Sequence, residues 1–175
     1  MTGTDRIAVP PSAARQIGVI SDTHGLIRPE ALAALKGSEL IIHAGDIGGS
    51  RVLEALGAIA PVIAVRGNMD GGGWAEALPK TEVVEFGETL IHVIHDLGEM
   101  DLDPLAAGFS AVICGHSHRP SIQSRNGILI INPGSAGPKR FELPVSIALI
   151  RVTGKTLEPM LVELQTTAVN RGRCY

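Results

Sequence analysis

Gln16-Ile17-Gly18-Val19-Ile20-Ser21-Asp22-Thr23-His24-Gly25 joins a short apolar run to a cluster of ligand-type side chains. An unbroken run of branched and small residues is how a strand buried on both faces of a parallel sheet reads. The arrangement recurs along the chain. Residues 40–44 run into Gly45-Asp46, residues 62–66 into Gly67-Asn68, and residues 89–94 into His95. Residues 111–114 then lead to Gly115-His116-Ser117-His118.

The connections between these runs decide the fold class. Residues 29–36 predict a helix, with Pro29 in the first turn and Gly37 at the stop. Residues 50–59 predict another, with Ser50 as N-cap. Strand, helix and strand in alternation make βαβ units. Residues 81–86 and 89–94 form a hairpin through Gly87-Glu88. A short helix is expected at 103–107, then strands over 121–125, 128–131, 145–152 and 156–164. Asn126-Gly127 is a type I′ hairpin signal, and Thr153-Gly154-Lys155 turns the last pair. The expected fold class is α/β, a sandwich of two packed sheets with helices outside.

Composition excludes several functions. The chain has 175 residues, 45% of them hydrophobic and 19% charged, with a formal charge of −3. A chain of that length buries ~70% of its unfolded surface, and this apolar content excludes general disorder. There is no basic footprint, so general nucleic-acid binding is not expected. With one Trp, one Tyr and three Phe, base-stacking platforms are not expected either. Cys114 and Cys174 are too few for a disulfide framework or a cysteine zinc cage, and Cys114 reads as a buried core thiol. Residues 1–15 read as a flexible extension without the apolar core of a signal peptide, 16–165 as one domain and 166–175 as a tail. No apolar stretch reaches the ~20 residues that span a bilayer. A cytoplasmic protein without a membrane partner is expected.

The chemistry lies at the strand ends. In open α/β sheets ligands bind outside the carboxyl ends of the strands. Here those ends carry carboxylate, amide and imidazole groups without a thiolate, a donor set for borderline divalent cations. There are more donors than one ion needs. They suit two ions about 3.5–4 Å apart bridged by a carboxylate, the arrangement used to cleave phosphate esters. Asp46 is the natural bridge. Asp22-x-His24 and His116-x-His118 each place two ligands on one side of an extended segment, and Gly25, Gly45, Gly67 and Gly115 permit tight turns. Taken singly, each motif is an ordinary turn or helix cap. Their conjunction is not.

The ordered series Asp22-x-His24, Gly45-Asp46, Gly67-Asn68, His95 and Gly115-His116-x-His118 resembles the calcineurin-like metallophosphoesterase superfamily. Ile42-His43-Ala44-Gly45-Asp46 and Asn132-Pro133-Gly134-Ser135 are similar to its small bacterial and archaeal branch, the YfcE-type phosphodiesterases. The resemblance implies a four-layer αββα sandwich of two mixed β-sheets flanked by helices. It implies one metal on Asp22, His24 and His118, another on Asn68, His95 and His116, and Asp46 between them. A bridging hydroxide would attack phosphorus in line, with Asp46, Asn68 and His116 closest to the chemistry. Two divalent ions are expected, Mn2+ first and Fe2+, Zn2+ or Ni2+ as alternatives.

The chain departs from the family at two places. Met69 stands where many members have a His that protonates the leaving group, and the branch commonly has Cys. That loss predicts a preference for esters with good leaving groups, since a general acid is worth about 10²–10⁴-fold. Asp96 follows His95 where the family usually has Gly, and adds charge or crowding at the second metal. Other positions stay open between two readings. His43 packs behind the ligands or faces substrate. His92, on the face opposite His95, is satisfied or exposed. Arg66 meets phosphate or solvent. Asn132 and Ser135 contact substrate or only make a turn, and Arg140 is a weaker phosphate contact. Trp74 walls a cleft or meets a partner subunit.

The expected activity is that of a dinuclear-metal phosphodiesterase on a small phosphodiester. Alternatives are a phosphomonoesterase on a small metabolite and a non-catalytic scaffold or binding module on the same fold. A small phosphate ester is the expected partner. A homo-oligomer fits the branch, although no interface stripe is visible.

Overall fold

The computed structural model describes residues 14–165. The expected tail, Cys174 and all but the last two residues of the expected extension lie outside that range. The elements run β1 Arg15–Ile20, α1 Pro29–Leu35, β2 Leu40–His43, α2 Ser50–Gly57, β3 Val62–Ala64 and α3 Gly73–Glu76. They continue with β4 Thr81–Phe86, β5 Thr89–Ile94, β6 Ala111–Ile113, β7 Ser121–Arg125, β8 Ile128–Asn132, β9 Ser146–Thr153 and β10 Thr156–Glu163.

Two five-stranded sheets result, ordered β10-β9-β1-β2-β3 and β4-β5-β6-β8-β7. Each has a parallel block: β1-β2-β3 in the first, with β3 at the edge and antiparallel β9 and β10 on the other side, and β5-β6-β8 in the second, flanked by antiparallel β4 and β7. The fold is the expected α/β sandwich of mixed sheets. Every residue of β2 and β6 is buried, as their unbroken apolar runs predict, whereas the polar edge strand β7 is largely exposed.

Strand alternation sends side chains to three apolar layers. Ile17, Val19, Ile42, Val84, Ile91, Val93, Ile113 and Ile150 fill the space between the sheets. Ile20, Ile41 and Ile147 point the other way, against Leu35 of α1 and Val52 and Leu56 of α2. Each such Ile or Leu contributes about 1.5–3 kcal/mol when fully buried. The outer face of the second sheet, with Ile94, Val112, Cys114 and Ile130, is covered by Leu97 and Met100. That layer is thin, carried by a 3-10 turn at Leu97–Glu99 rather than a long helix.

Several local expectations are corrected. Ser50 is not the N-cap of α2: Gly49 is, with no side-chain bond, and Ser50 is the first helical residue. Residues 103–107 form a turn instead of a helix. There Asp103 Oδ1 accepts the Leu105 amide at 2.9 Å, and Pro104 supplies no donor of its own. The third apolar run leaves its sheet at Ala64, since the Arg66 amide donates to the Pro79 carbonyl at 2.8 Å. Trp74, half-buried in the unforeseen helix α3, does not wall the cleft. It packs on the layer beneath α1 and α2.

Parallel registry sets where the ligand-bearing loops emerge. Ile20 lies beside His43, and His43 beside Ala64, so the loops carrying Asp22, Asp46 and Asn68 leave the first sheet side by side. In the second sheet Val93 lies beside Ile113, which brings His95 next to Gly115.

Candidate metal centre

The loops that leave the parallel strands are tightly coiled. Among the described residues, the non-glycine positions with left-handed φ include Asp22 (54°), His24 (47°), Asp46 (53°), His116 (66°) and His118 (58°). The others are Asn126, in its hairpin turn, and Phe141. Non-glycine residues rarely adopt this conformation, and it is held only where the surroundings over-determine it. Two glycines let the loops interlock. A Cβ on Gly67 would strike the Asp46 amide and carboxylate, and one on Gly115 would strike the Ser21 hydroxyl.

The turns bring all the expected ligands together in two neighbouring sets. In the first, His118 Nε2 lies 3.1 Å from Asp22 Oδ1 and 3.4 Å from His24 Nε2. In the second, Asn68 Oδ1 lies 3.0 Å from His95 Nε2 and 3.1 Å from His116 Nδ1. Asp46 joins them, with Oδ2 at 3.9 Å from His24 Nε2 and 3.5 Å from His95 Nε2. Its other oxygen accepts the Met69 amide at 2.8 Å.

Proton accounting tests whether cations fit. Asp22 Oδ2 accepts the Ser21 hydroxyl at 2.6 Å and the His116 amide at 3.2 Å. Asp22 Oδ1 is buried and has no hydrogen-bond partner. His95 Nδ1 lies 2.7 Å from the Ala44 carbonyl, which can only accept, so Nδ1 carries the proton. In the neutral imidazole the lone pair of Nε2 therefore points at the Asn68 and Asp46 oxygens, and without a cation a proton on Nε2 must bridge them. An imidazole nitrogen, an amide oxygen and a carboxylate oxygen converging at 3.0–3.5 Å are a donor set that a cation would satisfy in place of that proton.

The electrostatics agree. Burial pushes the Asp22 carboxyl above the usual carboxylate range, although the Ser21 hydroxyl and the His118 imidazole oppose it. Burial also pulls His118 below the ordinary imidazole value. On Asp46 burial works upward, but hydrogen bonds from His95 and the Met69 amide outweigh it and keep the group low. Burial works downward on His95, yet Asp46 and the Ala44 carbonyl raise it. A carboxylate buried without full compensation is costly, and divalent cations would remove that cost.

A shell of polar groups holds the ligand loops. Asp70 accepts the amides of Ile47 at 3.1 Å, Gly48 at 2.9 Å and Gly67 at 2.9 Å, and so ties the Asp46 loop to the Asn68 loop. Thr23 Oγ1 donates to the Ile47 carbonyl at 2.8 Å, so its 2.9 Å contact with His43 Nε2 is one in which the imidazole donates. His43 is fully buried behind the ligands and does not face substrate.

Asn132 and Ser135 are likewise corrected as substrate contacts. Only 4% and 6% exposed, they are committed to the loops below the site. Asn132 Nδ2 donates to the Gly115 carbonyl at 2.6 Å, and Ser135 Oγ to the Asp22 carbonyl at 2.9 Å. His92 does lie opposite the inter-sheet face, but it is neither exposed nor satisfied. It is buried, stacked on Phe109 at 5.2 Å, and its Nδ1 has no partner.

Sequence reasoning does not single out Asp70, Ser21 or Thr23 as functional supports. A signal for Asp70 is nonetheless present: a carboxylate among glycine-rich loops whose amides need acceptors. At the rim, Arg140 Nη2 lies 3.5 Å from His24 Nε2. A cleft of about 390 Å³ opens beside Asn68 and His95, with Arg66, Lys80 and Asp96 in its walls. Cys114, under the Gly115 turn, is held up to about 11 by burial and is a core thiol as expected.

Comparison with known proteins points the same way. Residues 16–155 match the profile of the calcineurin-like phosphoesterase superfamily domain. A probable metallophosphoesterase of Methanothermobacter thermautotrophicus is 34% identical over 158 residues, covering 83% of this chain and 91% of that protein. YfcE, a phosphoesterase from E. coli, has a similar structure, with a TM-score of 0.63 at 22% identity over 86% of this chain and all of that one. Chaetomium thermophilum Vps29 is similar with a TM-score of 0.70 at 22% identity, covering 86% of this chain and 97% of the other.

Proposed function

The chain belongs to the calcineurin-like phosphoesterase superfamily, and from that membership we propose that it is a two-metal phosphodiesterase acting on small phosphodiesters. The observation that carries the reading is Asp46 Oδ2, which faces both donor sets at 3.9 and 3.5 Å while its partner oxygen is engaged elsewhere. Asp22, His24 and His118 would hold one ion, Asn68, His95 and His116 the other, with Asp46 shared. The imidazole-rich set favours transition metals over Mg2+, and the family resemblance puts Mn2+ first, with Fe2+, Zn2+ or Ni2+ as alternatives. Two such ions supply an activated water and neutralise charge on the phosphoryl oxygens.

The chain's own groups would bind and orient the ester. Arg140, beside His24, offers a guanidinium to a phosphoryl oxygen. The cleft beside Asn68 has the size to receive one ester substituent. Met69, 68% exposed next to Asn68, has no proton to give a departing alkoxide. The substrate should therefore be an ester whose leaving group departs without protonation.

Hydrolysis of bis(p-nitrophenyl) phosphate by chelator-treated protein, with and without Mn2+, tests the reading. Strong Mn2+-dependent turnover is expected, with activated aryl diesters far ahead of dialkyl diesters. Turnover of monoesters alone would replace diester by monoester. Metal binding without hydrolysis of either class would leave a non-catalytic binding module.

A further inference from the structure

The residue after His95 occupies an unassigned position at the second donor set. Asp96 begins the 3-10 turn after β5, and its Oδ1 accepts the Gly98 amide at 2.8 Å. That bond fixes the carboxylate. Oδ2 is left 3.7 Å from His116 Nε2. The opposite ring nitrogen, Nδ1, is the one 3.1 Å from Asn68 Oδ1. His116 thus stands between the second donor set and a carboxylate.

We infer that Asp96 is a positioning residue for the second metal, acting through His116. The inference rests on the two-metal reading above. An imidazole that ligates through Nδ1 must carry its proton on Nε2, and that proton needs an acceptor. The Asp96 carboxylate is placed to receive it. A small turn of the half-exposed His116 ring brings the pair within hydrogen-bond range. Such a carboxylate fixes the tautomer and ring angle of a ligand and makes it a better donor.

The neighbouring imidazoles provide a contrast. His95, in the same donor set, has its far nitrogen on the Ala44 carbonyl at 2.7 Å. Both imidazoles of the second set therefore have an oxygen on their far side, at 2.7 Å for His95 and 3.7 Å for His116. In the first set, His118 Nδ1 is buried without a partner. Asp96 gives the second set a further negative charge and an orientation that His118 lacks.

Asp96→Asn separates this role from that of a turn cap, because the amide oxygen still accepts from Gly98 while the charge is gone. Chelator-treated wild type and variant are titrated with Mn2+ by calorimetry, and paramagnetic resonance at two equivalents reads the coupled ion pair. Wild type should bind two ions. The variant should bind the first with unchanged affinity and the second about 10–100-fold more weakly, with its coupled signal lost. The thermal midpoint of the metal-free variant should match wild type.

Wild-type affinity for both ions in Asp96→Asn would overturn the inference and leave Asp96 a turn cap. Wild-type protein that binds fewer than two ions would overturn the two-metal reading and this inference together. Two ions bound without phosphoesterase activity, with the second weakened by the variant, would support the role of Asp96 and overturn only the catalytic reading.

Discussion

Met69 meets Asp46 through its backbone alone: the amide donates to Oδ1 at 2.8 Å while the thioether is turned to solvent. The position beside Asn68 is therefore structurally fixed and chemically vacant. Met69→His keeps the amide contact and adds a proton donor there. It should raise turnover of dialkyl phosphodiesters by about 10-fold or more, up to the roughly 10²–10⁴-fold range of general-acid catalysis. Activated p-nitrophenyl esters should change little. Steady-state rates for the two ester classes check this, and equal effects on both would reject it.

Asp70 should matter to stability as much as to metal binding. Asp70→Ala strands the amides of Ile47 and Gly67 in the interior and leaves the more exposed Gly48 amide to solvent. A loss of about 3 kcal/mol is expected, lowering Tm by roughly 6–12 °C. Both donor sets should loosen, because Asp46 and Asn68 sit on the two loops that Asp70 ties. Calorimetric unfolding and Mn2+ titration measure the two effects on one sample.

The buried imidazole of His43 links stability to pH. Burial holds it at about 3 in the folded chain, against an ordinary value of 6.5. Unfolded protein therefore binds a proton below pH 6.5 that the native state refuses until about pH 3. Its contribution is whole above pH 6.5 and declines as pH falls through that window, by about 1 kcal/mol per pH unit. Urea unfolding of wild type and His43→Gln at pH 7 and pH 4.5 isolates the slope. The variant should show a shallower one, although its absolute stability should be lower.

Gly67→Ala is expected to damage the proposed centre without replacing any of its expected ligands. The added methyl would occupy the space of the Asp46 amide and carboxylate, and the neighbour is backbone that cannot swing aside. Mn2+ affinity should fall by more than about 10-fold, the scale of a displaced supporting group. Titration of the variant against wild type decides the matter.

Much of this arrangement is readable from particular residues. The runs at β1, β2 and β6 announce buried strands because only a parallel centre hides both faces of a strand, and the ligand-type residues stand at their ends. What escapes is local structure dictated by tertiary contact. Gly71, Gly72 and Gly73 argue against a helix, yet α3 forms there because Trp74 has a layer to pack on. Asn132 and Ser135 look like substrate contacts, but sequence does not reveal whether a polar group meets a ligand or a backbone carbonyl. The same limit hides Asp70, two of whose partners are amides of a loop more than 20 residues away.

The order of strands in the first sheet has a consequence for biosynthesis. β1 is paired on one side with the nearby β2 and on the other with β9 at Ser146–Thr153, which is translated after every other strand of the two sheets except β10. Asp22, His24, Asp46 and Asn68 are thus translated long before His95, His116 and His118, and before the strand that closes their sheet. Until β9 emerges, a nascent chain carries the Asp22, His24, Asp46 and Asn68 loops beside an open edge of β1. Metal capture would then be a late event, and metal uptake during translation would report the moment at which the two sheets close on one another.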